Sequence, residues 1–219
     1  MDLSGCLPFW EKLTAAQREA LTREAVLRTA PRGAVLHRGG DDCLGLLVVR
    51  SGQLRAYILS AEGREITLYR LFARDMCLLS AACVLRGIQF DVTVEAEKDA
   101  SFWVIPAGLY HQLMESSAAV ANYTNDVMGG RFSEVMWLME QILWQRFDQR
   151  LALFLLEESR LEGGAVLPLT HERIAAHLGT AREVVTRMLR YFQQEGLVKL
   201  SRGTVELTDP GRLEALAGA

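Results

Sequence analysis

LTHERIAAHLGTAREVVTRMLRYFQQEGLVKL, running from Leu169 to Leu200, reads as two short helical patterns joined at a glycine. Thr170 stands where a helix cap belongs, with Arg173 rather than an acid at the reciprocal position, and Ile174, Ala175 and Leu178 give the first helix one apolar face. Gly179 supplies the backbone freedom of a sharp turn. A second helix from about Ala181 turns Val184, Val185, Met188, Leu189 and Phe192 inward and leaves Arg182, Glu183, Thr186 and Arg187 facing out. Arginine can grip guanine through two parallel hydrogen bonds and glutamate can accept from the cytosine amino group, so the outward set has the chemistry of major-groove readout. An ordinary solvated face would carry the same charges. The residues downstream weigh toward DNA: Gly196 ends the helix, and VKLSRGTVEL (Val198–Leu207) alternates around Ser201, Arg202 and Gly203 as a hairpin does. Helix, turn, helix, hairpin is the order of a winged helix-turn-helix, with Thr180 and Arg202 as further candidate DNA contacts, Arg202 toward phosphate.

A chain of 219 residues predicts two modest domains. Its net charge of −3 argues against coating nucleic acid through bulk charge. Arg173, Arg182, Arg187, Arg190, Lys199 and Arg202 nevertheless gather basic charge in the last third. The start carries no signal-peptide pattern and no apolar run is long enough to span a bilayer, so a cytoplasmic protein is expected. The four cysteines, Cys6, Cys43, Cys77 and Cys83, are then expected as reduced thiols, and their scatter gives no metal-ligand spacing. The sequence shows no paired carboxylates, Ser-His-Asp set or phosphate-binding glycine loop that would support an enzyme.

Upstream, an amphipathic helix is expected around Thr14 to Val26. From Arg32 to Val104 the period changes to two, with AVLHRG, LGLLVVRSGQLRAYIL, EITLYRLF, FDVTVEAE and SFWVIP as successive strands. Gly33, Gly39, Gly40, Gly52 and Gly63 fall at turns, and Ala61 to Arg64 reads as a hairpin loop. Many short strands of this kind imply an antiparallel sandwich, barrel or jelly roll, which often encloses a pocket.

From about Ser116 to Gln145 the pattern is helical again. Ala121, Asn125, Met128, Phe132, Val135, Met139 and Ile142 alternate spacings of four and three, as in a coiled-coil seam. A helix packed on its own domain would also show an apolar stripe, but Val127, Met136, Leu138 and Leu143 add a second apolar side. The expectation is a dimer seam of Asn125, Met128, Phe132, Val135, Met139 and Ile142, with Asn125 fixing register. Gly129-Gly130 costs the helix roughly 1 kcal/mol per glycine against alanine, which suggests close helix approach or a soft point. Phe147-Asp148 is the expected hinge to the next helix.

A roll, a long helix and a winged helix-turn-helix in that order resemble the Crp/Fnr superfamily of bacterial transcription factors. The resemblance covers nearly the whole chain, and GTAREVVTRMLRYFQQEGLV (Gly179–Val198) is its most specific part. It implies that Glu183 and Arg187 read the half-site. Arg182 is similar to the further base-reading arginine of the cyclic AMP branch, which implies a half-site closer to TGTGA than to TTGAT. RGAVLHRGGDD and VVRSGQLRAY also fit the family's roll. The departures concern the effector. Phe90 and Asp91 stand where the cyclic AMP branch carries the Arg and Ser that hold a cyclic phosphate, so an anionic phosphate loses its clamp and meets a carboxylate. Cyclic AMP is therefore disfavoured. Only Cys6 lies near the start, against the N-terminal cysteine cluster of the iron-sulfur members. MCLLSAAC (Met76–Cys83) resembles the carbon monoxide-sensing haem branch, with Leu79 in place of that branch's histidine; haem held by Cys77, His37 or His111 stays open beside two buried thiols in a pocket wall. His171 and His177 are expected on helix surfaces.

The expected architecture is α+β: a cyclic-nucleotide-binding-like antiparallel β-roll over residues 1–115, a dimerisation helix over 116–146 and a winged helix-turn-helix over 147–219. The expected effector pocket uses Cys77, Leu79, Ser80, Cys83, Phe90 and Asp91. The expected function is homodimeric transcription regulation on an inverted repeat of double-stranded DNA, with RNA polymerase and a small-molecule or redox effector as partners. The alternative is a cytosolic haem- or thiol-redox protein of the same fold.

Overall fold

The computed structural model describes residues 2–39, 44–81 and 91–218. The chain forms two compact units: Met1–Leu59 with Leu68–Val135, and Met136–Ala219 with the segment Ser60–Thr67. Gly40, Cys43, Cys83 and Phe90, to which the sequence assigned a turn, a thiol and two pocket positions, lie outside the described residues.

The first part of the chain runs α1 (Leu3–Cys6), α2 (Ala15–Glu24), β1 (Val26–Ala30), β2 (Val35–His37), β3 (Leu46–Ser51), β4 (Leu54–Leu59) and β5 (Glu65–Leu71). It continues through β6 (Met76–Cys77), β7 (Thr93–Ala96), β8 (Ala100–Ile105), α3 (Ala107–Ser116) and α4 (Ala118–Trp144). The strands make two four-stranded sheets, ordered β1-β8-β3-β6 and β2-β7-β4-β5. Pairing is antiparallel at β1–β8, β3–β8, β3–β6, β2–β7 and β4–β7. Between them lies an apolar cluster that takes Leu47, Val49 and Phe102 from the first sheet and Leu54, Ala56, Leu71 and Val94 from the second. The opposite face of the first sheet, through Leu46, Val48, Met76 and Ile105, packs on Leu3, Cys6, Leu21, Leu109, Tyr110 and Leu113 of the helices. Each such aliphatic side chain contributes about 1.5–3 kcal/mol by leaving water.

That double burial changes how the strands read. Leu46 to Val49 is buried on both faces and is a continuous apolar run, not the alternation expected of a half-solvated strand. β1 was not anticipated because it is an edge strand whose first four residues are exposed, so the helix expected to reach Val26 stops at Glu24. The Thr14 cap is present: its hydroxyl accepts from the Gln17 amide, and the Gln17 side chain accepts from the Thr14 amide in return.

The helix expected from about Ser116 to Gln145 is α4, Ala118–Trp144, and a separate helix, α3, precedes it. Ser117 is extended between α3 and α4, its N–H donating to the Leu113 carbonyl, and a 2.6 Å hydrogen bond joins the Tyr110 hydroxyl to Thr124 across the break. Burial pushes the Tyr110 phenol up to about 12, so that bond persists across the neutral range.

The second unit adds α5 (Phe147–Glu162), β9 (Val166–Leu167), α6 (His171–Leu178), α7 (Arg182–Gln194), β10 (Val198–Ser201), β11 (Thr204–Leu207) and α8 (Pro210–Ala217). Its own core holds Leu151, Leu155, Ile174, Val185, Leu189, Phe192, Val205 and Leu213, all fully buried. Phe147-Asp148, expected as a hinge, is the first turn of α5; the helix break lies at Gln145-Arg146, after α4 ends at Trp144. The physical reason is the cap, since the Arg146 N–H donates to Gln149 and its guanidinium donates to buried Asp148 at 2.7 Å.

Candidate nucleic-acid interface

Capping builds the reading unit from both ends of α6. The Thr170 hydroxyl accepts from the Arg173 amide at 3.2 Å, and Gly179 closes the helix at φ +67°. The amides of Gly179 and Thr180 both return to the Ala175 carbonyl. From α5, the Arg150 guanidinium donates to the Leu178 carbonyl at 2.7 Å, which ties the turn to the unit's core. On the other side the Ser60–Thr67 segment meets the same turn. Ile66 bridges Leu178, Thr67 bonds His177 at 2.8 Å, and a Cβ on Gly179 would come within 2.8 Å of the Ile66 side chain. Gly179 is thus required twice, by its left-handed backbone and by this approach. His177, expected on the surface, is only 5% exposed and lies beside Phe154 with ring centres 5.2 Å apart.

α7 starts after Ala181, which has no side-chain oxygen to cap it; the Val184 amide returns to the Ala181 carbonyl at 3.0 Å. Val185, Leu189 and Phe192 are fully buried, with Val184 and Met188 half-buried beside them. Arg182, Glu183 and Arg187 are exposed, and Thr180 is half-buried. Thr186 departs from the outward reading: it is half-buried and its hydroxyl is 2.9 Å from Nδ1 of His171. β10 and β11 pair from Val198↔Leu207 to Ser201↔Thr204, and Gly203 at φ +75° turns the wing with Arg202 exposed at its tip. β9 adds a third strand through Val205↔Leu167.

Two family descriptions match the chain, a Crp-like helix-turn-helix domain over residues 149–216 and a cyclic nucleotide-binding domain over residues 27–117. The transcriptional activator protein Anr of Pseudomonas protegens is 30% identical over 226 residues, which is 97% of this chain and 88% of the relative. The cyclic AMP receptor protein of Thermus thermophilus is 27% identical over 190 residues, 87% of each chain. A crystal structure of a Crp/Fnr-family transcriptional regulator from Eubacterium rectale is 57% identical, with 98% of this chain and 100% of that chain covered and a TM-score of 0.95. The chain belongs to the Crp/Fnr family. It is a transcription regulator with a helix-turn-helix DNA-binding domain, and its relatives are regulators and not enzymes. No helix among the described residues is long and apolar enough to cross a membrane.

In this Crp/Fnr regulator two of the residues expected to line an effector pocket, Cys77 and Ser80, are buried in the roll. Cys77 is fully buried in β6 opposite Leu47, and burial pushes its thiol above the ordinary range. Ser80 is fully buried; its oxygen accepts from the Leu47 amide and sits 2.9 Å and 2.7 Å from the carbonyls of Gly45 and Cys77. Leu79 is half-buried and packs on the roll core, whereas Asp91 is exposed. Of the other residues weighed as haem ligands, His37 is buried in β2, and His111 is exposed on α3 at 3.6 Å from Glu115. Among the described residues no cluster of three or more His, Cys, Asp or Glu side chains could hold a metal ion.

The long helix of the Crp/Fnr regulator is anchored at Arg131, which sequence reading missed. Its guanidinium lies 4.5 Å over the Tyr69 ring, bonds both oxygens of Glu134 at 2.9 and 2.8 Å, and is 3.8 Å from Asp75. Along the expected seam, Phe132, Met139 and Ile142 are 67%, 47% and 43% exposed. Asn125 is exposed, and Met128 and Val135 are half-buried. A Cβ on Gly129 or Gly130 would meet nothing within 4 Å in this chain.

Proposed function

We propose that this regulator works as a homodimer on an inverted DNA repeat, each α7 entering a major groove. The observation that carries the reading is the division of α7: Val185, Leu189 and Phe192 are sealed in the core while Arg182, Glu183 and Arg187 stand in solvent. Those three read base edges, with a half-site closer to TGTGA by family resemblance, while Thr180 and Arg202 approach phosphates. The exposed seam of Phe132, Met139 and Ile142, continued through Asn125, Met128 and Val135, meets its copy, and the unfilled space at Gly129-Gly130 admits a close helix. The working division is a roll over 1–115, the dimer helix over 116–146 and the DNA reader over 147–219. The roll responds, in the cytoplasm, to a small-molecule or redox signal other than cyclic AMP. That effector is taken up along Cys77, Leu79, Ser80, Cys83, Phe90 and Asp91, and RNA polymerase is the downstream partner.

The test is selection from random duplexes by the purified full chain. The expected product is an inverted repeat of two related half-sites; recovery of no motif, in the absence or presence of effector, rejects the reading.

A further inference from the structure

His171 opens α6 and Thr186 lies midway along α7, yet their side chains meet at 2.9 Å. Both are half-buried, at the border between the reading face and the seam of the two helices. Arg182 and Arg190, one turn before and one turn after Thr186 on the same face, are exposed. Any duplex against that face meets Thr186 between two guanidiniums.

We propose that His171 is a positioning residue for DNA reading, whose protonation state sets whether the Thr186 hydroxyl is offered to the duplex as a donor. The inference rests on α7 being the reading helix. A neutral imidazole can accept the Thr186 O–H at Nδ1, which leaves only the oxygen's lone pairs for an outside group, such as the amino group of cytosine or adenine. A protonated ring can only donate. Thr186 then accepts from Nδ1–H, and its own hydrogen is freed for a phosphate oxygen or for guanine O6 or N7.

The surroundings set the direction of coupling. Burial first, then the positive charges of Arg182 and Arg190, hold the His171 pKa below its ordinary value, and Glu172 and Arg173 flank it on its own helix. Duplex phosphates bring negative charge to this face and raise the pKa in the complex. Binding therefore takes up a proton, so affinity gained at low pH is lost as pH rises through the bound-state value.

The experiment measures DNA affinity by fluorescence anisotropy on the selected site, with base preference re-selected at the two ends of the pH range. From about pH 8 to about pH 6 the wild-type affinity should rise about three- to tenfold, within the limit of one proton. His171→Gln should remove that rise while the melting temperature holds. The base preference at one pair should shift with pH in the wild type and stay fixed in Thr186→Val, which retains the titrating ring. NMR should show the His171 pKa moving up when DNA is added. An unchanged pH slope in His171→Gln, an unmoved His171 pKa, or a wild-type preference indifferent to pH overturns the proposal. Absence of DNA binding at every pH counts instead against α7 as the reading helix.

Discussion

α7 and α4 carry opposite kinds of outward face. α7 spends its apolar residues inside its own unit, with Val185, Leu189 and Phe192 fully buried, and offers solvent arginine and glutamate. α4 holds out Phe132, Met136, Trp137, Met139, Ile142, Leu143 and Trp144 at 43–80% exposure. A polar face that is complete in one chain suits a charged, hydrated ligand such as DNA. An apolar face of that extent in one chain is unfinished, and the seam spacing fits a second copy. The proposed reading and assembly roles thus fall on different helices, by what each leaves uncovered.

The largest effect should come from charging the seam. In the proposed dimer Met139→Glu places two like carboxylates across the twofold axis, a cost of about 3–5 kcal/mol, and should give a monomer at micromolar concentration in sedimentation equilibrium. A dimer of unchanged affinity would show that the seam lies elsewhere. Next, Leu189→Ala should destabilise the second unit by about 2–5 kcal/mol, seen in denaturant unfolding, because it opens a cavity in a fully buried site. Arg187→Ala leaves the fold intact and should cost about 1–3 kcal/mol on the preferred site while relaxing discrimination at one base pair. The smallest effect belongs to Arg202→Ala, which should weaken all sequences alike and lower the salt slope by about 1. A sequence-selective loss would move Arg202 from phosphate to base contact.

The reading unit was legible because its signals are local. Thr170, Gly179, Gly196 and Gly203 punctuate the chain within a few residues of the elements they cap, and the apolar period of α7 matches its burial. The roll was legible in class but not in detail. Leu46–Val49 is buried on both faces and β1 is exposed along most of its length, so neither shows the alternation that marks a half-buried strand. The contacts that the sequence did not announce are tertiary. The His171–Thr186 bond spans 15 residues, Thr67–His177 spans 110, and Arg131 reaches Tyr69 on a distant strand, separations at which no periodicity speaks. Burial of His177 follows the same logic, because its partner is set by the fold and not by the helix that carries it.

The central claim, two α7 helices acting together on one duplex, is tested most directly by changing the spacing of the selected half-sites. Two copies held by the α4 seam must reach grooves about 34 Å apart, so the native repeat should bind one dimer tightly. Inserting half a helical turn between the half-sites should drop affinity toward the non-specific level, roughly a thousandfold or more. Binding that ignores the insertion, with one chain per half-site, would contradict the account.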